Sequence, residues 1–194
     1  MDRRAFFKRA TGKAAEAVVK EAEEKLNAEA VHWIRPPYAL AELEFLLSCT
    51  RCGECISACP HQVIFPLESR LGAKVVNTPA MDLLNKACHL CEDWPCVTVC
   101  EPQSLVFPEV EEDTAIPLPI LAVAKVDTKT CLPYSGPECG ACQGSCPVEG
   151  ALVWEMERPR INQDICTGCA MCREVCIVEP KAIHITSVSH REEA

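Results

Sequence analysis

The sequence predicts an α+β fold of four repeated units behind a helical N-terminal extension. Each unit reads as a short strand, a cysteine loop, a short helix and a second short strand. Three observations carry this reading. Sixteen cysteines stand among 194 residues and fall into four motifs of four. Short β-favouring segments flank the motifs. The first thirty residues are instead rich in Ala, Glu and Lys, which favour helix.

The extension comes first, over residues 1–38. Met1-Asp2-Arg3-Arg4-Ala5-Phe6-Phe7-Lys8 has the form of a twin-arginine signal. An apolar stretch of about 7 to 15 residues should follow such a signal. Lys13, Glu16, Lys20, Glu21, Glu23, Glu24 and Lys25 interrupt that position. The expectation is a vestigial or protein-recognition motif on a cytoplasmic chain, with periplasmic export as the alternative. No window of about 18 apolar residues occurs, so no membrane span is expected. Residues 12–30 read as helix, with Val18, Ala22 and Leu26 forming a thin apolar stripe. The plain reading is a solvated helix lying on the body, and the sharper one is a partner-binding helix. Arg35-Pro36-Pro37 ends the segment, because a residue before proline resists the α conformation. Trp33 and Tyr38 flank that corner and are expected to pin the extension to the body.

The body spans 39–186, and a polar tail follows over 187–194. Residues 39–47 read as a short helix leading into the first cysteines. Expected strands follow the motifs at Gln62–Phe65, Ser104–Phe107, Ala151–Trp154 and Ala182–Ile185. Others precede the later motifs at Ala122–Val126 and Arg160–Asn162. Residues 108–119 are acidic and proline-rich and read as a linker between two halves. Strands this short cannot bury a core without help, and bound metal would supply it.

Motif one is Cys49-x2-Cys52-x2-Cys55-x3-Cys59-Pro60, and motif four is Cys166-x2-Cys169-x2-Cys172-x3-Cys176. Both match the bacterial spacing for [4Fe–4S] clusters. Three cysteines two residues apart wrap one cubane, and the fourth, a helical turn further on, serves the other cluster of a pair. Motif two, Cys88-x2-Cys91-x4-Cys96-x3-Cys100, and motif three, Cys131-x7-Cys139-x2-Cys142-x3-Cys146-Pro147, each widen one spacer with loop residues. All sixteen cysteines are used, so four [4Fe–4S] clusters are expected and no thiol remains for catalysis or a disulfide. Structural zinc usually takes two CxxC pairs and needs neither the third close cysteine nor the Cys-Pro ending. Disulfide scaffolds are usually short and secreted. Two units make a ferredoxin-like dicluster module, so four units make two.

Which motifs share clusters is open on spacing alone. The two regular motifs stand outermost and the two irregular ones adjacent, which favours nested pairing of one with four and two with three. Cys49, Cys52, Cys55 and Cys176 would then form one set, and Cys166, Cys169, Cys172 and Cys59 another. Cys88, Cys91, Cys96 and Cys146 would form the third, and Cys131, Cys139, Cys142 and Cys100 the fourth. Sequential pairing, one with two and three with four, is the alternative.

His61 and His89 lie beside cluster cysteines. They read as surface histidines first and as hydrogen-bond donors to cluster sulfur second. Trp94 is expected to shield a cluster from water. The net charge of −9 and pI near 5.1 argue against nucleic-acid binding and suit docking on basic protein patches. Each oxidised cubane with its four thiolates adds about −2. The eight glycines are scattered and form no phosphate loop. These features read as an electron carrier, or an electron-transfer subunit of a larger oxidoreductase, rather than an enzyme.

Ile34-Arg35-Pro36-Pro37 before Glu44-Phe45-Leu46 and Cys49-Thr50-Arg51-Cys52 resembles the opening of the NapF/NapG/MauM family of ferredoxin-type proteins. Cys131-Leu132-Pro133-Tyr134-Ser135 with Glu138-Cys139 is similar to the NapF third motif. Cys88-His89-Leu90-Cys91-Glu92-Asp93-Trp94-Pro95-Cys96 is similar to NapG and MauM, as is Val178-Glu179-Pro180 after Cys176. The resemblance runs from about Ile34 to Ile185. It implies four [4Fe–4S] clusters and a redox partner, either a molybdoenzyme catalytic subunit or a quinol-oxidising membrane protein. Its NapF side implies a second role, as a cytoplasmic accessory or maturation factor for a molybdoenzyme.

Overall fold

The structure, a computed structural model, describes residues 33–111 and 114–188, with Lys20, Glu21, Glu24, Lys25, Leu26 and Ala28 of the N-terminal segment. Arg3-Arg4, most of the predicted 12–30 helix including Val18 and Ala22, and residues 189–194 lie outside the described residues. The described residues of that helix are helical. Two exposed ion pairs, Lys20–Glu24 and Lys25–Glu21, join residues one turn apart. Leu26 is buried and shares a groove with Leu43, Leu46 and Leu47. At that point the helix lies on the body.

Among the described residues the fold mixes a few short helices with three two-stranded sheets, arranged as two halves on one plan. The first half, 33–107, carries α1 (Glu42–Ser48), α2 (Glu54–Ala58), β1 (Ile64–Pro66), β2 (Pro79–Met81) and α3 (Pro95–Thr98). The second, 121–187, carries β3 (Ala122–Val126), α4 (Leu132–Ser135), β4 (Leu152–Glu155), β5 (Arg158–Ile161), α5 (Met171–Glu174) and β6 (Ile183–Ser187).

Each half places an inner antiparallel pair between its two cysteine motifs. In the first half β1 pairs with β2, with Ile64 opposite Met81. In the second β4 pairs with β5, with Leu152 opposite Ile161. The turn between β4 and β5 is made by Met156 and Glu157, both left-handed, at φ 48° and 63°. Two left-handed residues match the twist of a tight hairpin.

Each half also joins the segment before its first motif to the segment after its second. In the second half this is a full antiparallel pair, β3 with β6, from Ala122 opposite Ser187 to Val126 opposite Ile183. Residues of β6 alternate buried and exposed, the period-2 pattern of a strand with one face on the core. In the first half the same connection shrinks to a single bridge, Ala39 to Leu105. Two differences from expectation follow. The predicted strand at Ser104–Phe107 is only this bridge, and the predicted helix at 39–47 starts at Glu42. Pro36, Pro37, Pro102 and Pro108 flank the bridge and have no N–H to extend a ladder. Two bonds remain, Leu40 N–H to Ser104 and Val106 N–H to Tyr38.

One apolar core runs through both halves and includes Phe45, Leu83, Val97, Leu121, Ile183 and Ile185. A smaller cluster joins Trp33 to Leu67, Val75 and Ala80. Tyr38 meets Trp94 edge to face at 5.0 Å. Trp33 and Tyr38 thus pin the end of the extension to the body, as expected from the corner at Arg35-Pro36-Pro37. The linker carries no regular structure in its described residues, and the Tyr38 hydroxyl donates to the Pro117 carbonyl within it at 3.0 Å.

Within the second half, β3 and the loop of the fourth motif meet closely at Gly168. The N–H groups of Leu121 and Ala122 both reach the Thr167 carbonyl. A side chain on Gly168, at φ +70°, would put its Cβ 2.0 Å from the Ala122 carbonyl oxygen. Only glycine fits that approach.

Candidate metal centres

Helix α2 follows Gly53, whose left-handed backbone (φ 81°) turns the chain so that its carbonyl accepts from Ile56 and Ser57. Cys55 sits within α2, and Cys59 caps its end in an extended conformation. Helix α3 follows Trp94, also left-handed at φ 43°. It carries Cys96, and Cys100 comes one turn later, its N–H bonded to Val97. The two helices pack against each other. Each therefore delivers one thiol to its own motif and one to its neighbour's.

The thiols gather in four groups. Cys55 has Cys100, Cys49 and Cys52 as charged neighbours. Cys59 joins Cys88, Cys91 and Cys96 around one pocket. Cys176 joins Cys131, Cys139 and Cys142 around a second pocket. Cys146 joins Cys166, Cys169 and Cys172. They are called here the Cys49, Cys88, Cys131 and Cys166 groups.

This corrects the nested pairing. The structure brings motif one to motif two and motif three to motif four. Cys176 lies with Cys131, not with Cys49, and Cys100 lies with Cys55, not with Cys131. The reason is topological. A hairpin between two motifs, closed by an outer pair, folds those two motifs onto each other. Regularity of spacing reports loop length and carries no information about which strands pair.

Burial pushes the Cys55, Cys88, Cys96 and Cys172 thiols up to about 12, and Cys142 to about 11. Neighbouring thiols push the same way. Thiols gathered this closely, several of them buried, ionise together only where bound metal cations compensate their charge. The donor set thus fits an iron–sulfur cluster. Among the described residues no three His, Cys, Asp or Glu side chains close on a point that could hold a single metal ion. The cysteines surround open spaces instead.

The lining supports the same fit. Trp94 is buried and lines the Cys88 space, where its ring excludes water as the sequence suggests. His61 and His89 lie at the same space and stack on each other at 3.6 Å, both exposed. The surface reading of the two histidines stands, with the mutual stacking added. Trp154 lines the Cys131 space, and its indole Nε1 is buried without a hydrogen-bond partner. An orphaned buried donor beside four thiols suits an acceptor such as cluster sulfur. Sequence reading took Trp154 only as a strand residue. Its position directly after the third motif is the signal that could have raised it.

Asp127 orders the approach to Cys131. Its carboxylate accepts from the Lys129 N–H at 2.9 Å and the Thr130 hydroxyl at 3.0 Å. The Cys131 N–H bonds to its carbonyl. These bonds, with His184 nearby, hold the Asp127 carboxyl below its ordinary value.

Comparison with known proteins agrees with the chemistry. A 4Fe–4S binding domain model matches residues 47–65, around motif one. The ferredoxin-type protein NapG of Escherichia coli K12 is 34% identical over 170 residues, covering 80% of this chain and 71% of that protein. The methylamine utilization ferredoxin-type protein MauM of Methylobacillus flagellatus is 31% identical over 95% of this chain and 83% of that protein. The ferredoxin-type protein NapF of Escherichia coli K12 is 30% identical over 77% of this chain and 84% of that protein. No solved structure matches. With relatives of at least 30% identity covering most of its length, the chain belongs to the NapF/NapG/MauM family of ferredoxin-type iron–sulfur electron-transfer proteins.

Proposed function

We propose that the chain is a polyferredoxin in which each of the four cysteine groups holds one [4Fe–4S] cluster. Its halves are then two dicluster modules, with motifs one and two in the first and three and four in the second. The observation that carries this is the crossed pattern. In every group three thiols come from one motif and the fourth from the end of its partner motif, the arrangement of paired cubanes. The sixteen ligands are Cys49, Cys52, Cys55, Cys100; Cys59, Cys88, Cys91, Cys96; Cys131, Cys139, Cys142, Cys176; and Cys146, Cys166, Cys169, Cys172. The clusters supply one-electron chemistry. The chain's own residues bury them, exclude water and set the spacing between them.

All sixteen cysteines serve metal in this reading, and among the described residues no other catalytic constellation stands beside them. The chain therefore passes electrons between protein partners rather than converting a substrate. We propose a partner with a basic docking face, since the protein carries a net charge of −9 before the clusters add more. Among the described residues no helix is long and apolar enough to cross a membrane. A reducing compartment, the cytoplasm, suits sixteen thiols of which none is bridged.

Iron and acid-labile sulfide counted on anaerobically prepared protein test this directly. The expected result is about sixteen irons per chain, four to a cubane, with magnetically interacting EPR signals on reduction. A count of about four or fewer would overturn it.

A further inference from the structure

The two halves touch at a pair of cysteines. The backbone N–H of Cys88 donates to the carbonyl of Cys169 at 2.9 Å. Among the described residues no other backbone hydrogen bond joins a cysteine of one half to a cysteine of the other. The Cys88 and Cys169 thiols are also close neighbours. Cys88 belongs to the second group and Cys169 to the fourth, so the contact links two groups of different halves.

The contact is dry and braced. Ala87, Cys88, Cys169 and Ala170 are all buried. Glu174, on α5 between Cys172 and Cys176, accepts from the Ala87 N–H at 3.1 Å. Its neighbour Arg173 donates to the Leu84 carbonyl at 2.9 Å and to the Ile183 carbonyl. These two side chains clamp the helix of motif four onto the segment that leads into motif two.

Exposure is graded along the molecule. Three thiols of the second group are buried (Cys59, Cys88, Cys96) and two of the fourth (Cys169, Cys172), with Cys91, Cys146 and Cys166 half-buried, against one buried thiol each in the first (Cys55) and third (Cys131). In the first group Cys52 is exposed and Cys49 and Cys100 are half-buried. In the third, Cys139, Cys142 and Cys176 are half-buried. Within the halves, Cys96 lies near Cys55 and Cys172 near Cys142. Each inner group thus adjoins one outer group.

We propose that electrons cross between the halves at the Cys88–Cys169 contact, so that the four centres act in the order Cys49, Cys88, Cys166, Cys131 group, with the first and last as the terminals that face redox partners. This order rests on the four-cluster reading above. It differs from the order of the motifs along the chain, because the second module runs reversed in the path. Each step moves one electron: the centre that gives it is oxidised by one and its neighbour reduced by one, with no bond made or broken. Arg173 and Glu174 are positioning residues for the crossing.

The test is EPR on reduced holoprotein. Cys52→Ala with Cys139→Ala removes the two outer centres and leaves the inner pair. Cys91→Ala with Cys166→Ala leaves the outer pair. Each should retain about eight irons per chain, four to a cubane; a count far from that breaks the four-cluster reading and not the order. At that iron content, strong dipolar coupling is expected in the inner pair and its loss in the outer pair. Equal or stronger coupling in the outer pair overturns the order. Single variants ask the same question if a double variant does not fold. Cys91→Ala should leave one isolated signal, from the Cys49 group, and Cys52→Ala should leave none; the reverse result overturns the order. Arg173→Ala with Glu174→Ala, at unchanged iron, should weaken the coupling between the inner centres and spare the coupling within each half. Unchanged inner coupling would remove the two residues from the proposal.

Discussion

Arg35 grips Glu42 with both arms of its guanidinium, at 2.9 and 2.6 Å, in a site where both side chains are largely buried. The same guanidinium donates to the Thr78 hydroxyl and the Pro79 carbonyl and lies over the Phe45 ring. This one side chain ties the corner before α1 to α1 itself and to β2. Removing one partner strands a buried charge. Glu42→Ala or Arg35→Ala should lose about 3 to 5 kcal/mol of stability. Denaturant titration followed by the visible absorbance of the clusters should show the earlier midpoint.

The sequential grouping of thiols makes a sharp prediction about iron. Cys52→Ala and Cys100→Ala strike the same centre, so their double variant should lose no more iron than either alone. Cys52→Ala with Cys176→Ala strikes two centres and should lose iron additively. Nested sharing would reverse the two results. Iron per chain after anaerobic reconstitution decides between them.

Gly168→Ala places a methyl on a backbone carbonyl in a left-handed position. The strand and the Cys166–Cys169 loop must part to admit it. A loss above about 3 kcal/mol is expected, from strain and a clash together. Iron counting should also show the Cys166 centre depleted, since its loop carries two of that centre's thiols.

Trp154→Phe keeps the bulk of the ring and deletes its orphaned N–H. If that donor serves cluster sulfur, it favours the reduced, more negative state. The variant should lower the potential of a cluster held by the Cys131 group by roughly 40 mV, equivalent to about 1 kcal/mol of hydrogen bonding for one electron. A spectroscopic redox titration should find the potentials of the remaining centres unmoved.

Asp127 has its carboxyl held below the ordinary range, so its contribution is present above the unfolded-state value and fades as pH falls through the lower folded-state value. The turn into Cys131 should loosen under acid, and Asp127→Ala should bring that loosening to neutral pH. Amide exchange at Lys129, Thr130 and Cys131 should report it, with faster exchange in the variant.

Much of the candidate site is legible in the residues. Cys49, Cys52, Cys55 and Cys59 announce a cubane loop by spacing alone, because ligand geometry constrains near neighbours in the chain. The strands at Leu152, Ala122 and Ile183 follow from short apolar segments beside the motifs, while the strand expected at Arg160–Asn162 begins two residues earlier, at Arg158. Trp154 is less legible, since nothing local distinguishes a core indole from one left without a partner. The bridge at Leu105 falls short of its predicted strand because prolines around it remove donors, a property of two segments at once.

The amino-acid sequence by itself determines the ligand chemistry: sixteen thiols, their division into four motifs, and the acidic surface around them. Short-range covalent spacing is enough for that. Only the tertiary structure decides which motif completes which, because the fourth thiol of each group arrives from a segment brought near by strand pairing. It also decides that Cys88 meets Cys169. These two residues stand 81 positions apart, and contact over that separation depends on how two halves pack, which no local pattern encodes.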